Sequence, residues 1–293
     1  MPVPGHGNDT GHRDRRGRGR SVRRRVGASL AGIAAVALTV SSCSSSSGHA
    51  AANSSSPTAS STSPRSTTSS SATPQPASSL APVHGRYAPT IDPANFVRTV
   101  DNRYWPLMPG THYHYEGVRG KIPQTDDEVV LPQTKRISGV LSTVVRDTVS
   151  EHGRPVERTF DWYAQDKQGN VWYMGEDSLE LKNGHFVKAS DSWKTGVNGA
   201  QPGIIVPGDP QPGDEYRQEY YPPGQALDQA KVLRLDGSIT VPYGAYTNVL
   251  VTSERSPLEP QTEQKYYAPG VGELAERIVM GHHEEFQLVQ VTH

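Results

Sequence analysis

The chain has 293 residues, with 29 basic against 30 acidic side chains and a single cysteine, Cys43. The near balance conceals an asymmetry. Residues 1–42 hold eight arginines against Asp9 and Asp14, leaving 21 basic and 28 acidic residues, net −7; residues 91–293 alone carry 19 against 28, net −9. A domain so acidic, with no basic stripe interleaved with aromatics, repels phosphate backbones, so nucleic acid is excluded as a partner. With one cysteine, internal disulfides and a multi-thiolate zinc site are excluded too.

Residues 1–42 read as a signal peptide, an Arg-rich segment followed by the apolar run Gly27–Val40. That run is shorter than the roughly 20 apolar residues of a transmembrane helix; an uncleaved signal anchor is the alternative. Arg23-Arg24-Arg25 faintly resembles a twin-arginine export signal, although Val22 stands where such signals favour Ser or Thr. Val40-Ser41-Ser42-Cys43, small residues ahead of a lone cysteine, resembles a bacterial lipobox. The resemblance implies cleavage before Cys43, diacylglyceryl and N-acyl (palmitate-type) chains on it, and an exported domain held on the outer side of the cell membrane.

Ser44–Thr90 is Ser, Thr, Ala and Pro with almost no charge and few large apolar side chains, a composition that cannot offset its ordering entropy. Residues 43–90 are therefore expected to be a lipidated cysteine and a disordered tether, roughly 40 Å root-mean-square across as a coil. Residues 91–293 are expected to form one domain.

That domain opens with Asp92-Pro93, an N-cap aspartate and a first-turn proline that predict one short helical turn. Thr111–Glu116 alternates, with tyrosines on one face and His112, His114 and Glu116 on the other. Strands are expected over 135–147, 158–165, 171–175, 184–188, 214–221, 230–235, 238–241, 246–254, 264–267, 273–280 and 285–291, punctuated by Gly, Pro, Asn and Asp. Residues 225–233 are the best helix candidate, at most two turns. The pattern predicts an all-β domain, mostly an antiparallel curved sheet or an open barrel or sandwich, with one or two short helical turns. Its core is expected to be thin and helped by tyrosines.

The strongest local feature is Phe160–Gly175, read as a hairpin around Lys167-Gln168-Gly169 with Gly169 left-handed. This register sets Tyr163 opposite Tyr173 on one face, and Trp162 opposite Met174 and Ala164 opposite Trp172 on the other. Core packing accounts for these pairs; Trp162, Trp172, Tyr163 and Tyr173 are also the candidate ligand-binding residues, because paired tryptophans make a stacking platform for a sugar or aromatic ligand. Tyr216, Tyr220, Tyr221, Tyr266 and Tyr267 either add an amphipathic surface or close a thin core. His112, His114 and Glu116, like His282-His283-Glu284-Glu285, offer imidazoles and carboxylates suited to a divalent ion, but so short a motif is usually only solvated, and no metal is assigned. Asp126-Asp127-Glu128 and Glu176-Asp177 are read as a solvated acidic face, since no calcium-loop pattern accompanies them. Asp161, Glu176 and Glu180 are the carboxylates a glycosidase pair would draw on. With no Gly-x-Ser-x-Gly, Ser-x-x-Lys, His-Glu-x-x-His or phosphate loop, no catalytic residue and no cofactor are assigned.

Beyond its lipobox, the chain resembles exported bacterial β-proteins that share three stretches. These are Tyr-Trp-Pro-Leu-x-Pro-Gly-Thr (Tyr104 to Thr111), Trp-Tyr-Ala-Gln-Asp-x-x-Gly-Asn-Val-Trp-Tyr (Trp162 to Tyr173), and Val-Pro-x-Gly with Tyr-Ala-Pro-Gly-Val-Gly (Val241 to Gly244, Tyr267 to Gly272). More loosely it resembles envelope proteins of the lipoprotein-carrier type, which implies a curved sheet around an apolar ligand. Three functions stay open: a membrane-tethered, non-enzymatic domain binding a lipid, glycan or envelope partner; an exported cell-wall carbohydrate hydrolase; and a structural lipoprotein without a small ligand.

Overall fold

The computed structural model describes residues 75–293; the signal segment, Cys43 and most of the expected tether lie outside the described residues. The described residues ahead of the boundary expected at residue 91 already pack on the domain. The short helix α1 (Ala77–Leu80) and the following segment bury Ala77, Ala81 and Tyr87. Arg217 fastens them, its backbone N–H donating to the Ala81 carbonyl and its guanidinium to those of Pro82 (2.9 Å) and Val83 (2.7 Å). Few apolar residues suffice here because the segment borrows a core built elsewhere.

Pro93–Asn95 forms a single 3₁₀ turn with Asp92 capping the Ala94 amide at 2.9 Å, as the Asp-Pro pair predicts. A two-stranded ribbon follows, β1 (Val100–Asn102) and β2 (Trp105–Leu107). Then come two antiparallel meanders. The first is β3 (His112–Arg119), β4 (Ile122–Ile137), β5 (Val140–Glu151), β6 (Arg154–Gln165) and β7 (Val171–Lys182). Short pieces follow: β8 (His185–Lys188), β9 (Trp193–Lys194), β10 (Gln201–Val206), β11 (Glu215–Arg217) and β12 (Glu219–Tyr220). The second meander is β13 (Gln229–Val241), β14 (Gly244–Arg255), β15 (Thr262–Ala268), β16 (Gly272–Met280) and β17 (Glu284–Thr292).

The last strand zips onto the first long one, with Leu288 facing Tyr115 and Thr292 facing His112. This seam joins the meanders into one 15-stranded antiparallel sheet, in the order β11-β13-β14-β15-β16-β17-β3-β4-β5-β6-β7-β10-β12, with β8 and β9 also on β7. The sheet is curved and does not close into a barrel. It is the all-β curved sheet that the sequence predicts, with one short helix and isolated 3₁₀ turns among the described residues.

Four local expectations change, the first being that the strand expected over 214–221 is two short strands, β11 on β13 and β12 on β10. The strand expected over 135–147 is two strands, because Ser138 (φ 46°) and Gly139 (φ 84°) form a tight two-residue hairpin turn. Residues 225–233 are not helical: Pro222–Gly224 closes a 3₁₀ turn, Gln225 is left-handed (φ 60°), and β13 begins at Gln229. Ala230 and Val232 go inward in strand alternation. The strands expected over 230–235 and 238–241 are one strand, since β13 takes up Asp236-Gly237 through irregularities of register.

The core is tyrosine-rich: Tyr115, Tyr163, Tyr173, Tyr216 and Tyr267 are among the largest fully buried side chains. Tyr266 is buried as well, so of the five tyrosines offered as a surface three belong to the interior, while Tyr220 and Tyr221 are half-buried.

Candidate functional site

The β6–β7 hairpin forms around the turn its sequence predicts. Gly169 is left-handed (φ 86°), and Asp166 and Asn170 close the loop through Asp166 N–H to the Asn170 carbonyl at 3.0 Å. The Asp166 carboxylate organises it. Oδ1 accepts from the Gln168 (2.9 Å) and Asn170 (3.0 Å) amides; Oδ2 accepts from Asn170 Nδ2 and Trp172 Nε1, both at 2.8 Å. Gly208 packs so closely on Gln168 that a β-carbon there would strike the Gln168 carbonyl. Asn102 latches the other side, its Nδ2 donating to the carbonyls of Gly169 (2.8 Å) and Pro207 (3.1 Å).

Tyr163 does face Tyr173, and Ala164 faces Trp172, but Trp162 lies opposite Gly175 because a bulge separates the two registers. Gly175 adopts φ 130°, and a β-carbon there would collide with the Trp193 and Lys194 backbone of β9. The bulge therefore makes room for β9 and re-aims Trp162.

The four candidate ligand residues thus divide. Tyr163 and Tyr173 stack at 5.1 Å inside the sheet, with Trp105 edge-on to Tyr163 (5.7 Å) and Trp193 edge-on to Tyr173 (5.3 Å). They are core, beyond the reach of an external ligand. Trp162 and Trp172 do not form one platform. Trp162 borders a cleft of about 330 Å³ with Trp193, Lys188, Lys194 and Lys135, whose ammonium lies 3.4 Å from the centre of the Trp162 ring. Burial lowers the Lys135 pKa, with Asp177 opposing that effect. Trp172 borders a larger open cleft of about 560 Å³ between the segment 75–96 and the β6–β7 turn, together with Tyr87, Phe96, Ile91, Arg86 and Lys167. Sequence reasoning missed this N-terminal wall, which its composition disguises as tether.

The acidic runs are not a uniformly solvated face. Strand alternation sends Asp126 and Glu128 of β4 inward and Asp127 outward; it buries Glu176 of β7 and leaves Asp177 half-exposed. Carboxylate oxygens of Asp126, Glu128 and Asp147 lie within 4.8 Å of one another. Asp161, directly opposite Glu176, joins them at 2% exposure and accepts from the Tyr173 hydroxyl at 2.6 Å. Burial raises the Asp161 pKa well above the carboxylate range, and Glu176 and Asp147 push the same way. The same surroundings, burial first, raise the Tyr163 phenol. Glu180 is paired instead with Glu157, four positions further along each strand from the Asp161–Glu176 pair.

The histidine cluster gathers differently from its sequence order. His112 Nε2 and His114 Nδ1 each lie 2.8 Å from Asp127 Oδ1, whereas Glu116 Oε1 is 3.9 Å from His114 Nε2. His282 pairs with Glu284 at 2.9 Å, at the opposite end of β17 from Gln290 and Thr292, which face His114 and His112.

No family model and no curated protein matches the chain. Two solved structures are similar to it. A candidate exported protein with YmcC-like fold from Bacteroides fragilis shares 12% identity over 65% of this chain and 99% of its own, at TM-score 0.38. A candidate lipoprotein from Parabacteroides distasonis shares 12% over 64% and 98%, at TM-score 0.37. Likeness at this level transfers no function.

Proposed function

We propose that the protein is a lipid-anchored, exported β-domain that binds an amphipathic ligand, a lipid or a glycan, without turning it over. The observation that carries this reading is the 560 Å³ cleft lined by Trp172, Phe96, Tyr87 and Ile91 and rimmed by Arg86 and Lys167. Its size and its mix of aromatic wall and sparse charge suit a small-molecule site. The cleft also lies beside the first described residues, on the side of the domain where the chain runs back toward Cys43. Against the hydrolase alternative stands the burial of Asp161 at 2% exposure: Glu176 borders the 330 Å³ cleft beside Trp162, but Asp161 does not line it, so the two carboxyls do not face one groove as a glycosidase pair must.

The test has two arms. Native mass spectrometry of protein purified from membranes should reveal a co-purifying ligand, and titration with that lipid or glycan should change Trp172 fluorescence; Ile91→Glu, at the cleft wall, should weaken binding at least tenfold. Binding indifferent to Ile91→Glu would remove the cleft from the account. Separately, Cys43→Ala should release the domain from the membrane, and a mature chain that still begins at Met1 would overturn the anchor.

A further inference from the structure

From the outward face of the β3–β4 pair we infer a binding site for a divalent transition-metal ion of the zinc type, with His112, His114 and Asp127 as its protein ligands. Strand alternation places the two imidazoles. Tyr113 and Tyr115 point into the core, so His112 and His114 must both point out, two residues apart on one rigid strand. Register supplies the third ligand. His114 is directly opposite Asp127 on β4, and His112 is opposite Val129, which puts Asp127 within diagonal reach of it.

The donor atoms already converge. Asp127 Oδ1 lies 2.8 Å from both His112 Nε2 and His114 Nδ1, and the three atoms fall within 4.8 Å of one another. Around a tetrahedral zinc with bonds near 2.0–2.1 Å, neighbouring ligand atoms stand about 3.4 Å apart. The carboxylate need withdraw by only about half an ångström on that estimate, a small side-chain rotation. Two nitrogens and one oxygen suit zinc, cobalt, nickel or copper rather than calcium or magnesium, which take oxygen sets.

The tautomers are consistent as well. If His114 binds through Nδ1, its proton sits on Nε2, the nitrogen that faces Glu116 Oε1 at 3.9 Å. Glu116, the carboxylate nominated from sequence, then acts as an outer partner that can orient the ring. The three side chains are between one quarter and two fifths exposed, so an ion can enter and its fourth position faces solvent, open to water or to a donor from outside the chain.

Full-length protein stripped with a chelator should bind one Zn²⁺ by calorimetry at these residues. Co²⁺ in its place should give the intense visible absorption of a low-coordinate site. Asp127→Asn, His112→Gln and His114→Gln should each weaken Zn²⁺ at least tenfold while leaving the metal-free melting temperature within a few degrees; Glu116→Gln should weaken it less. Because histidines elsewhere could also hold zinc, His282→Gln with His283→Gln serves as the control and should leave this binding step unchanged. Absence of binding, or binding indifferent to Asp127→Asn and His114→Gln, would overturn the site.

Discussion

On β15 the Lys265 ammonium is buried to 1% exposure, 2.9 Å from Glu276 and within 4 Å of Glu254 and Glu273. On β6 the Asp161 carboxyl is buried to 2%, and the groups that act on it, beyond burial, are Glu176, Asp147, Glu128 and the Tyr173 hydroxyl. The two meanders thus carry similar inward acids under different rules. In the second, burial would lower the Lys265 pKa, yet Glu276, Glu273, Glu254 and Glu263 together raise it, so the cation keeps its charge and the acids gain a counter-ion. Even there Glu263 is raised, by burial and by Glu276, with Lys265 opposing. In the first, the groups acting on Asp161 include no cation, and burial and the neighbouring acids favour its protonated form instead. A half-apolar sheet face can therefore bury acids either by charge pairing or by protonation, and the two answer differently to pH.

Removing the cation should have the largest effect. Lys265→Met leaves Glu254, Glu273 and Glu276 buried without it and should cost about 3–5 kcal/mol in denaturant unfolding. Adding Glu276→Gln should restore part of the loss. A cost under about 1 kcal/mol would mean that the ammonium does not organise this half.

The next effect is one of slope. Asp161 has an unfolded-state pKa near 3.8 and a raised folded one, so its contribution is complete below about 3.8 and is lost as pH rises toward the folded value. The wild type should therefore lose stability as pH rises above 4, at no more than about 1.4 kcal/mol per pH unit from this group. Asp161→Asn keeps an acceptor for Tyr173 and should flatten that slope in unfolding midpoints measured from pH 4 to 8. An unchanged slope would place the proton elsewhere.

Tyr173→Phe should have the smallest effect, about 1 kcal/mol at neutral pH. It deletes the one interaction that favours ionised Asp161, so the pH slope should also extend to higher pH than in the wild type. A loss without that extension would be packing alone.

Much of the fold was legible because it is local. The Asp92-Pro93 turn, the Lys167-Gln168-Gly169 loop and the Tyr163–Tyr173 pairing each follow from a few neighbouring residues and the two-residue period of a strand. The errors share a cause as well. Ser138-Gly139 hid a hairpin because serine is less emphatic than Asn or Asp in a left-handed turn, and the Gly175 bulge, made for β9, moved Trp162 away from Trp172. Residues 75–90 looked like tether because their few apolar groups have nothing to pack on until Arg217, Tyr220 and β10 arrive from over a hundred residues away.

The sequence by itself determined the strand-rich class, the tyrosine core, the outward histidines of β3 and the acidity of the domain, since alternation and turn chemistry are written in adjacent residues. Only the tertiary structure decided that β17 closes on β3, that Asp127 rather than Glu116 meets both imidazoles, and that the acids of the second meander gather around Lys265 while no cation is among the groups acting on Asp161. Those outcomes depend on inter-strand register and on long-range closure of the sheet. A one-residue slip would turn every side chain to the opposite face, and no short stretch of sequence specifies a register set by the whole sheet.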